Sequence, residues 1–473
     1  MITAGASVRW ATIAAALLAA LPATAQPALT GAGQPASSES SDKPSQPPSA
    51  PSVASNFANP DPGGIRAALG QYGISASATY IGEALGTVSG GTKRSSIYGG
   101  RLDMQLDVDL GTLAGLPGLA LHSNAYQIHG NGLSRCCIGN LIVSSGIEAE
   151  PATRLYELWL EQTLFGGKAA LRAGQLAADT EFIVSQYGAL FVNATFGFPT
   201  VASANLPSGG PSYPLATPGI RLKLAPAPNL SALLAVFNGD PAGSGGDPQR
   251  RNRSGTNFRL RDPALLIGEV AYAYNQSGPG LPGTVKLGGT HHFGRFDDLG
   301  TGSDGLSLAD PGGGGAPRRG RGSSMVYAVF DQLAYRETGT TDQGLGVFAR
   351  LAGSPTGRSS PVRFYADGGV TYKGLVPGRA TDTAGLAASY VQVSGAARGL
   401  DRDVLAFSGS YYPIRSNEVL IEATYQAEVV PGVTLQPDAQ YIIRPGAHAP
   451  NPRAGGSPIR NAVVVGLRAS VHY

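Results

Sequence analysis

The chain has 473 residues and a formal net charge of +3, and only 14% of its residues are charged. About a quarter of the residues in an ordinary soluble domain are charged, so this composition, with 67 glycines and 19 tyrosines, is not that of a typical soluble enzyme. The small net charge also argues against a nucleic-acid-binding protein.

The N-terminal residues have the organisation of an export signal. Arg9 supplies a positive charge, the run ATIAAALLAAL is too short to span a bilayer, and Ala23 and Ala25 form a small-residue cleavage site. We predict a secretory signal peptide over residues 1–25. Residues 26–62 are rich in Pro, Ser, Ala and Gly, which predicts a disordered linker. No run of eighteen apolar residues follows, so helical membrane spans are not expected.

Stretches in which apolar and polar residues alternate recur from residue 72 to the end of the chain. This period of two predicts strands with one apolar and one wet face, and each stretch is long enough for a tilted strand to cross a membrane. The sixteen predicted strands lie near 72–82, 96–109, 118–129, 153–163, 168–176, 217–225, 229–238, 263–275, 283–294, 323–335, 343–353, 361–373, 381–394, 417–428, 432–443 and 460–473.

The chemistry of the two faces predicts which side meets lipid. In RLDMQLDVDL, residues 101–110, every even position is apolar and every odd one is charged or polar. Such polar faces are costly to bury in a protein core but not against a water-filled lumen. We therefore expect the apolar side chains to face lipid. In VRFYADGGVTYK, the same pattern directs Val362 outward and Arg363, Tyr365 and Asp367 inward.

The connections between the predicted strands alternate between short turns, such as FGGK and VPGR, and mostly long loops. This alternation is typical of bacterial outer-membrane barrels, which also have an even number of strands. The last segment, VVVGLRASVHY, suits a strand that closes against the first one. The predicted fold is an all-β outer-membrane barrel of about sixteen antiparallel strands over residues 63–473. Tyrosines near strand ends suit an interfacial aromatic girdle: Tyr80, Tyr98, Tyr126, Tyr156, Tyr372 and Tyr441.

One long block carries a family resemblance. TRLYELWLEQTLFGGKAALRAGQLAADTEFIVSQYGALFVNATFGFPTVASANLPSGGPSYPLATPGIRLKL resembles the most distinctive block of the carbohydrate-selective porins of the OprB type, and QYGISASATYIGEALG and LQPDAQYIIRPG support it. The resemblance covers roughly residues 60–473 and implies a monomer-folded sixteen-stranded barrel that passes sugars passively. The basic stretches RRNRSGTNFRLRDP and GGGGAPRRGRG have no counterpart in that resemblance.

The longest connection, residues 177–216, is rich in aromatic residues, which argues against disorder, and a loop of this length is expected to be functional when it is ordered. We predict that it folds into the barrel and narrows the pore; the alternative is an external lid packed on neighbouring loops. Its aromatic residues are Phe182, Tyr187, Phe191, Phe196, Phe198 and Tyr213.

Strand parity selects candidate pore-lining residues beside this loop. If Tyr156, Leu158 and Leu160 face lipid, then Glu157, Trp159 and Glu161 face the lumen. On the next predicted strand, Leu171 faces lipid, so its neighbour Arg172 faces the lumen. Mixed charges beside an aromatic ring suit sugars, whose ring faces and hydroxyl groups both need partners. The alternative is that these are ordinary lumen polar groups far from the narrowest point. Asp179 is the next candidate. Weaker candidates are Arg101, Asp103, Asp107, Arg363, Tyr365 and Asp367, and the same parity turns Arg221, Lys223 and Lys286 inward.

Two further features concern the loops. Cys136 and Cys137 are adjacent, which leaves open a vicinal disulfide or a reducible pair, and metal binding is disfavoured because no histidine is close. Two arginine runs fall in predicted external loops, where contact with lipopolysaccharide phosphates is one hypothesis and simple solvated charge is the alternative. They are Arg250, Arg251 and Arg253, and Arg318, Arg319 and Arg321.

Motifs of catalysis are absent from the sequence: it contains no G-x-S-x-G, H-E-x-x-H or P-loop pattern. Glu157 and Glu161 on one strand would lie about 13 Å apart, beyond the spacing used in glycoside hydrolysis. His291 and His292 alternate across a strand and cannot chelate from one face. We predict a porin that admits glucose-type sugars, without cofactor or metal, in contact with outer-membrane lipids. A general or ion-selective porin is the alternative, an outer-membrane hydrolase is a remoter one, and the oligomeric state stays open.

Overall fold

The computed structural model describes residues 64–277 and 279–473, so the predicted signal peptide and linker lie outside the described residues. The described residues form sixteen strands in chain order. Thirteen lie within a few residues of their predicted positions, whereas the first strand continues to residue 91 beyond its predicted end at 82, and the ninth and tenth strands are also longer than predicted. The strands are β1 (Ile74–Gly91), β2 (Ser95–Asp109), β3 (Leu119–Gly130), β4 (Ala152–Leu164), β5 (Ala169–Leu176), β6 (Thr217–Ala227), β7 (Leu230–Asn238), β8 (Ala264–Tyr274), β9 (Gly283–Gly302), β10 (Pro317–Arg336), β11 (Gly344–Gly353), β12 (Val362–Lys373), β13 (Thr383–Val393), β14 (Asn417–Val430), β15 (Val433–Ile443) and β16 (Arg460–His472).

The strands form one closed antiparallel barrel in which every strand pairs with its neighbours in sequence and β1 pairs with β16. The closing register places Ala84 opposite Leu467. Closure leaves no sheet edge whose backbone groups would lack partners inside a bilayer.

Burial on the strands is inverted relative to a soluble protein. Apolar side chains such as Leu287 and Val326 are 61% and 62% exposed, whereas Glu422 on β14 and Arg350 on β11 are 0% and 1% exposed. In RLDMQLDVDL, Met104 is exposed and Asp103 is buried, as the predicted faces require. This arrangement is stable only where lipid covers the outer surface and polar partners fill the interior.

Two predicted tyrosines of the girdle lie inside the barrel instead. The β3–β4 register shifts between Asn124 and Ala125, which leaves Tyr156 without an opposite residue. Such a bulge turns two successive side chains of one strand to the same face, so Tyr156 is 1% exposed and packs on Tyr126 with ring centroids 4.7 Å apart. The prediction that Tyr156 faces lipid and that Tyr126 belongs to the girdle is therefore wrong. Tyr98 and Tyr441 are exposed.

A second irregularity lies at the start of β12. The β12–β13 register shifts between Val362 and Phe364, across Arg363. Val362 is 1% exposed, and its backbone amide donates to the Asn205 side chain at 3.0 Å. The outward placement of Val362 is therefore wrong, while Phe364 is exposed as predicted.

The strand pair β9–β10 is longer than its alternation predicted, because both strands continue into the predicted loop of residues 297–322. Arg318, Arg319 and Arg321 therefore lie on β10 and not in a loop. Cross-strand ion pairs accompany the extension: Arg319 Nε lies 2.9 Å from Asp297 Oδ1, and an Arg318 Nη2 lies 3.0 Å from Asp298 Oδ2.

The helices are short and lie before β1 or in the connections. The longest, Gly395–Ser408, begins with the Ser394 side chain accepting from the Ala397 amide at 3.3 Å. The others are Ile65–Gln71, Leu110–Ala114, Ala194–Gly197, Thr200–Ala204, Pro248–Arg251 and the turn Pro445–His448, with a π-helical turn at Ser134–Ile138 and 3₁₀ turns at Gly188–Leu190 and Pro207–Gly209. Among the described residues, no helix is both long and apolar enough to cross a membrane.

Candidate pore constriction

The long connection between β5 and β6, residues 177–216, enters the barrel; we call it the inserted loop. Its base is closed by a backbone hydrogen bond from the Ala178 amide to the Pro211 carbonyl, 2.6 Å long. Between these points it packs Phe191 and Phe196 on Phe348 of the β11 inner face, with ring centroids 5.8 and 6.1 Å away. These contacts confirm the predicted insertion and contradict the alternative of an external lid. That the loop narrows the pore stays a prediction.

Acidic side chains on the inner wall bind backbone amides of the inserted loop. Glu269 of β8 accepts from the Ile183 amide at 2.9 Å, and Glu422 of β14 accepts from the Val192 amide at 2.6 Å. Asp331 of β10 accepts from the Ser185 hydroxyl at 2.5 Å. The first two bonds satisfy loop amides that have no strand or helix partner, and the third satisfies a loop hydroxyl.

Basic side chains of the wall bind loop carbonyls in the same way. Arg350 of β11 donates to the carbonyls of Thr195, Ile183 and Gly197 at 2.9, 3.1 and 3.3 Å. Lys286 of β9 donates to the Val184 carbonyl at 2.8 Å. The loop is thus fixed to several strands around the barrel by charges of both signs.

Wall glycines give the loop room. A Cβ atom built on Gly346 of β11 would lie 2.1 Å from the Tyr187 ring of the inserted loop. We expect Gly346→Ala to displace Tyr187 and to cost about 1–3 kcal/mol of stability, as other overpacked sites do. The matched control is Gly353→Ala on the same strand, whose Cβ would meet nothing closer than 3.9 Å. Urea unfolding of both variants in lipid measures the difference, and equal midpoints would contradict the close contact.

A second connection, residues 131–151, also reaches the inner wall. Glu418 of β14 accepts from the amides of Leu141 and Ile142 at 2.8 and 2.7 Å. The two connections bind each other through the Gly146 amide and the Val192 carbonyl at 2.9 Å. The same segment carries the Cys136–Cys137 disulfide. Sequence reasoning missed this contact; the apolar run in CCIGNLIVSSGI was the available signal.

Near the base of the inserted loop, two carboxylates and two guanidiniums form a cluster, which we call the charge cluster: Glu161, Arg172, Glu181 and Arg221. Arg172 Nε lies 2.9 Å from Glu161 Oε2, and Arg221 Nη2 lies 2.7 Å from the same oxygen. Glu181 of the loop lies 2.5 Å from Arg221 and 3.3 Å from Arg172. The side chains of Arg172 and Glu161 stay 11% and 20% exposed, so water reaches part of the cluster.

Trp159 lies beside the charge cluster. The Arg172 guanidinium lies 3.5 Å from the ring centre, and the His122 ring of β3 stacks on it at 4.7 Å. Because β3 and β5 flank β4, these two groups approach the indole from its two sides.

The other two leading candidates hold the inserted loop. Glu157 is 7% exposed and accepts from the Ala177 amide at 3.0 Å. Asp179, on the loop itself, accepts from the Tyr156 hydroxyl at 2.6 Å and from the Tyr213 amide at 2.7 Å. Burial raises the pKa of the Asp179 carboxyl above its usual value, while these hydrogen bonds act in the opposite direction. Glu157, on β4, and Asp179 therefore both hold the start of the inserted loop.

The weaker candidates fall into two groups. On β2, Arg101 stacks on the rings of Tyr126 and Tyr213 at 4.7 and 5.1 Å, Asp103 accepts from the Asn124 amide group, and Asp107 lies 2.7 Å from His122 Nδ1. These three residues line the β2–β3 side of the interior.

On β12, Tyr365 and Asp367 lie beneath the inserted loop. The Asp367 carboxylate pairs with Arg350 at 2.5 Å, and the Thr195 hydroxyl donates to the Tyr365 hydroxyl at 2.9 Å. The loop covers both side chains. Arg363 lies at the β12 irregularity, where the alternation that supported its inward placement is broken, and its side chain is exposed.

Comparison with known proteins identifies the fold and the family. The family described as carbohydrate-selective porin, OprB family, matches residues 93–473. The chain belongs to this family. It is similar to Porin B of Pseudomonas aeruginosa, with 25% identity over an alignment of 425 residues that covers 86% of this chain and 89% of the relative.

Solved structures agree in fold. The high-pH structure of Pseudomonas putida OprB superimposes with a TM-score of 0.77 at 22% identity, covering 87% of this chain and 97% of the other. The low-pH structure of the same protein gives a TM-score of 0.51 at 16% identity, with the same coverage. The protein is a carbohydrate-selective porin of the bacterial outer membrane: a channel, not a member of an enzyme family.

The described residues contain no cluster of three His, Cys, Asp or Glu side chains placed to hold a metal ion.

Proposed function

We propose that this porin passes glucose-type mono- and oligosaccharides passively, and that the charge cluster beside Trp159 selects them. The observation that carries the proposal is the balance of the cluster. Each of the two guanidiniums lies 2.5–3.3 Å from each of the two carboxylates. The site therefore offers many hydrogen-bond donors and acceptors close together, while its formal net charge is zero. A neutral polyhydroxylated solute needs both kinds of partner and gains nothing from net charge.

Glu161 and Arg172 are the residues we propose to contact the sugar, because they combine partial exposure with strong hydrogen-bonding groups. Glu157 and Asp179 act instead by positioning the loop that carries Glu181. Selectivity in such a pore depends on its width and on the groups that line it, with no chemistry on the solute. Outer-leaflet lipids are the proposed partners outside the pore.

The test is liposome swelling with glucose, a disaccharide and polyols of matched size. We expect Glu161→Gln/Arg172→Gln to reduce the sugar-to-polyol ratio of swelling rates about three-fold, because two hydrogen-bonding groups of the filter are weakened. The single variants test the charge balance: Glu161→Gln leaves excess positive charge and should shift the reversal potential toward anions, and Arg172→Gln toward cations.

The matched control is Asp297→Asn on the outer face of β9, which should change neither the swelling ratio nor the reversal potential. If the swelling rates of wild-type liposomes depend on solute size alone, the protein is a general porin and the proposed sugar filter is refuted. A retained sugar preference in the double variant would place the filter elsewhere in the pore.

A further inference from the structure

Two arginines face each other on the outer surface of the β9–β10 extension. Arg295 and Arg321 are directly opposite in the strand register, and both are exposed. Across the described ranges, neither guanidinium has a hydrogen bond or an ion pair. Like charges directly opposite each other on a sheet are destabilising, so this pair costs stability unless an anion lies between them.

The alternation along β9 shows that the pair faces away from the lumen. His292 is 2% exposed and its ring Nε2 lies 3.0 Å from the Gly239 carbonyl oxygen, whereas Phe293 is 58% exposed. The β9–β10 register shifts between His292 and Arg295, so the face of Arg295 is read above the shift. The Phe296 ring packs on the buried His292 ring with centroids 5.1 Å apart, which puts Phe296 on the inner face and its neighbour Arg295 on the outer one. The exposed cross-strand ion pair of Asp297 and Arg319, 2.9 Å apart, continues the same outer face.

The height of the pair on the barrel follows from strand geometry. Strand β9 begins at Gly283, about ten residues before Phe293. At ~3.3 Å per residue and a tilt of about 40°, this segment rises ~25 Å along the barrel axis. That rise equals the height of the apolar band of an outer-membrane barrel. The outward side chains over this span include Leu287 and Val326. Phe293 therefore lies at the outer interface, and Arg295 and Arg321 lie just above it, among the lipid headgroups.

Three arginines of the runs that the sequence singles out already have carboxylate partners. Arg318 and Arg319 have the carboxylate partners described above, and Arg250 lies 3.3 Å from Glu150. On the outer face of the extension, Asp297 is the nearest acid in the register and is already paired with Arg319. The face thus has three guanidiniums and one carboxylate.

We propose that Arg295 and Arg321 bind a phosphate group of the lipopolysaccharide in the outer leaflet. Guanidinium forks match phosphate oxygens in geometry as well as charge, and the exposed Phe293 ring below them suits the acyl chains of the same lipid. The site shares Arg321 with one of the arginine runs that the sequence singles out, but it pairs that residue with Arg295 of the neighbouring strand, which no sequence pattern indicated. It rests on the outer-membrane location and not on sugar selectivity.

The experiment compares the full porin with Arg295→Gln/Arg321→Gln by native mass spectrometry in neutral detergent. The probes are lipid A carrying both phosphates, dephosphorylated lipid A and inorganic phosphate. The matched control, Arg250→Gln/Arg251→Gln, removes the same charge from the loop between β7 and β8. Retained heat-modifiable migration and unchanged glucose swelling show that each variant is folded and that the pore is independent of this site.

We expect the double variant to bind phosphorylated lipid A at least about ten-fold more weakly than wild type, because two charge-assisted contacts are lost. The control variant should bind like wild type, and dephosphorylated lipid A should bind weakly to all three proteins. Equal binding by the double variant would overturn the proposal, as would equal binding of dephosphorylated lipid A to wild type. Inorganic phosphate that binds as tightly as the lipid would make the site one for free anions and would also overturn it.

Discussion

Deletion of residues 183–210 is expected to raise the single-channel conductance about two-fold or more, because the segment that crosses the lumen is removed and conductance follows the open cross-section. The deletion joins Phe182 to Pro211, which are held near each other through Ala178: the Ala178 amide donates to the Pro211 carbonyl at 2.6 Å, and the Phe182 amide donates to the Ala178 carbonyl at 2.8 Å. Planar-bilayer recording measures the effect. Unchanged conductance would refute the role of the inserted loop as a constriction.

Two further variants separate this effect from misfolding. Replacement of residues 183–210 by a Gly/Ser segment of equal length keeps the chain length but removes the contacts with the wall. It should give a larger but noisier conductance, because the loop no longer has a fixed position. Shortening of the external connection 303–316, which lies between β9 and β10, should leave the conductance unchanged. Heat-modifiable migration identifies the folded protein in each case.

Replacement of Arg350 by Met is expected to destabilise the barrel by about 3–5 kcal/mol, because it leaves the Asp367 carboxylate buried without its partner. It also removes three hydrogen bonds to carbonyls of the inserted loop, so open-channel noise should increase. Urea unfolding in lipid vesicles and single-channel recording measure the two consequences.

Two variants make this prediction specific. Arg350→Met/Asp367→Asn removes the unpaired charge and should recover part of the lost stability, while the increased channel noise remains because the loop contacts are still missing. Arg358→Met is the matched control: its side chain is 69% exposed and pairs with Asp298, so its loss should cost about 0–1 kcal/mol. Equal losses in Arg350→Met and Arg358→Met would contradict the structural role of Arg350.

The barrel was predictable because its determinants are local. The alternation in RLDMQLDVDL predicts the lipid-facing and lumen-facing sides of β2 from that segment alone, and the same is true of β14. His291 and His292 were likewise assigned to opposite faces, and the structure has His291 bonded to the Ser324 hydroxyl and His292 to the Gly239 carbonyl. A period of two needs only the strand itself.

The errors arise where one residue breaks this period. Tyr156 and Val362 both lie at register shifts, and a single extra residue moves a side chain to the opposite face. No residue type in the sequence marks either shift. The extension of β9 and β10 was missed for another reason: above the membrane the outer face needs no apolar residues, so the alternation on which the prediction rested disappears.

The candidate constriction was only partly predictable, because its contacts join distant parts of the chain. The length and aromatic content of residues 177–216 indicated an ordered loop, and parity placed Glu161 and Arg172 on the inner face. The wall residues that hold the loop, such as Glu269, Arg350 and Glu422, looked like ordinary lumen charges. Their partners lie 86 to 230 residues away in the sequence, and only the folded barrel brings them together.

The seam between β1 and β16 has a consequence for assembly. Every other neighbouring pair consists of consecutive strands, so most of the sheet can grow hairpin by hairpin, with small loop-closure entropy at each step. The seam alone joins the two extremes of the sheet, as in the pairing of Tyr80 with Val471. A chain without its last strand would therefore not be a smaller cylinder. It would be an open sheet whose two edge strands expose backbone N–H and C=O groups without hydrogen-bond partners to the lipid hydrocarbon. Stable insertion into the membrane therefore requires this final pairing.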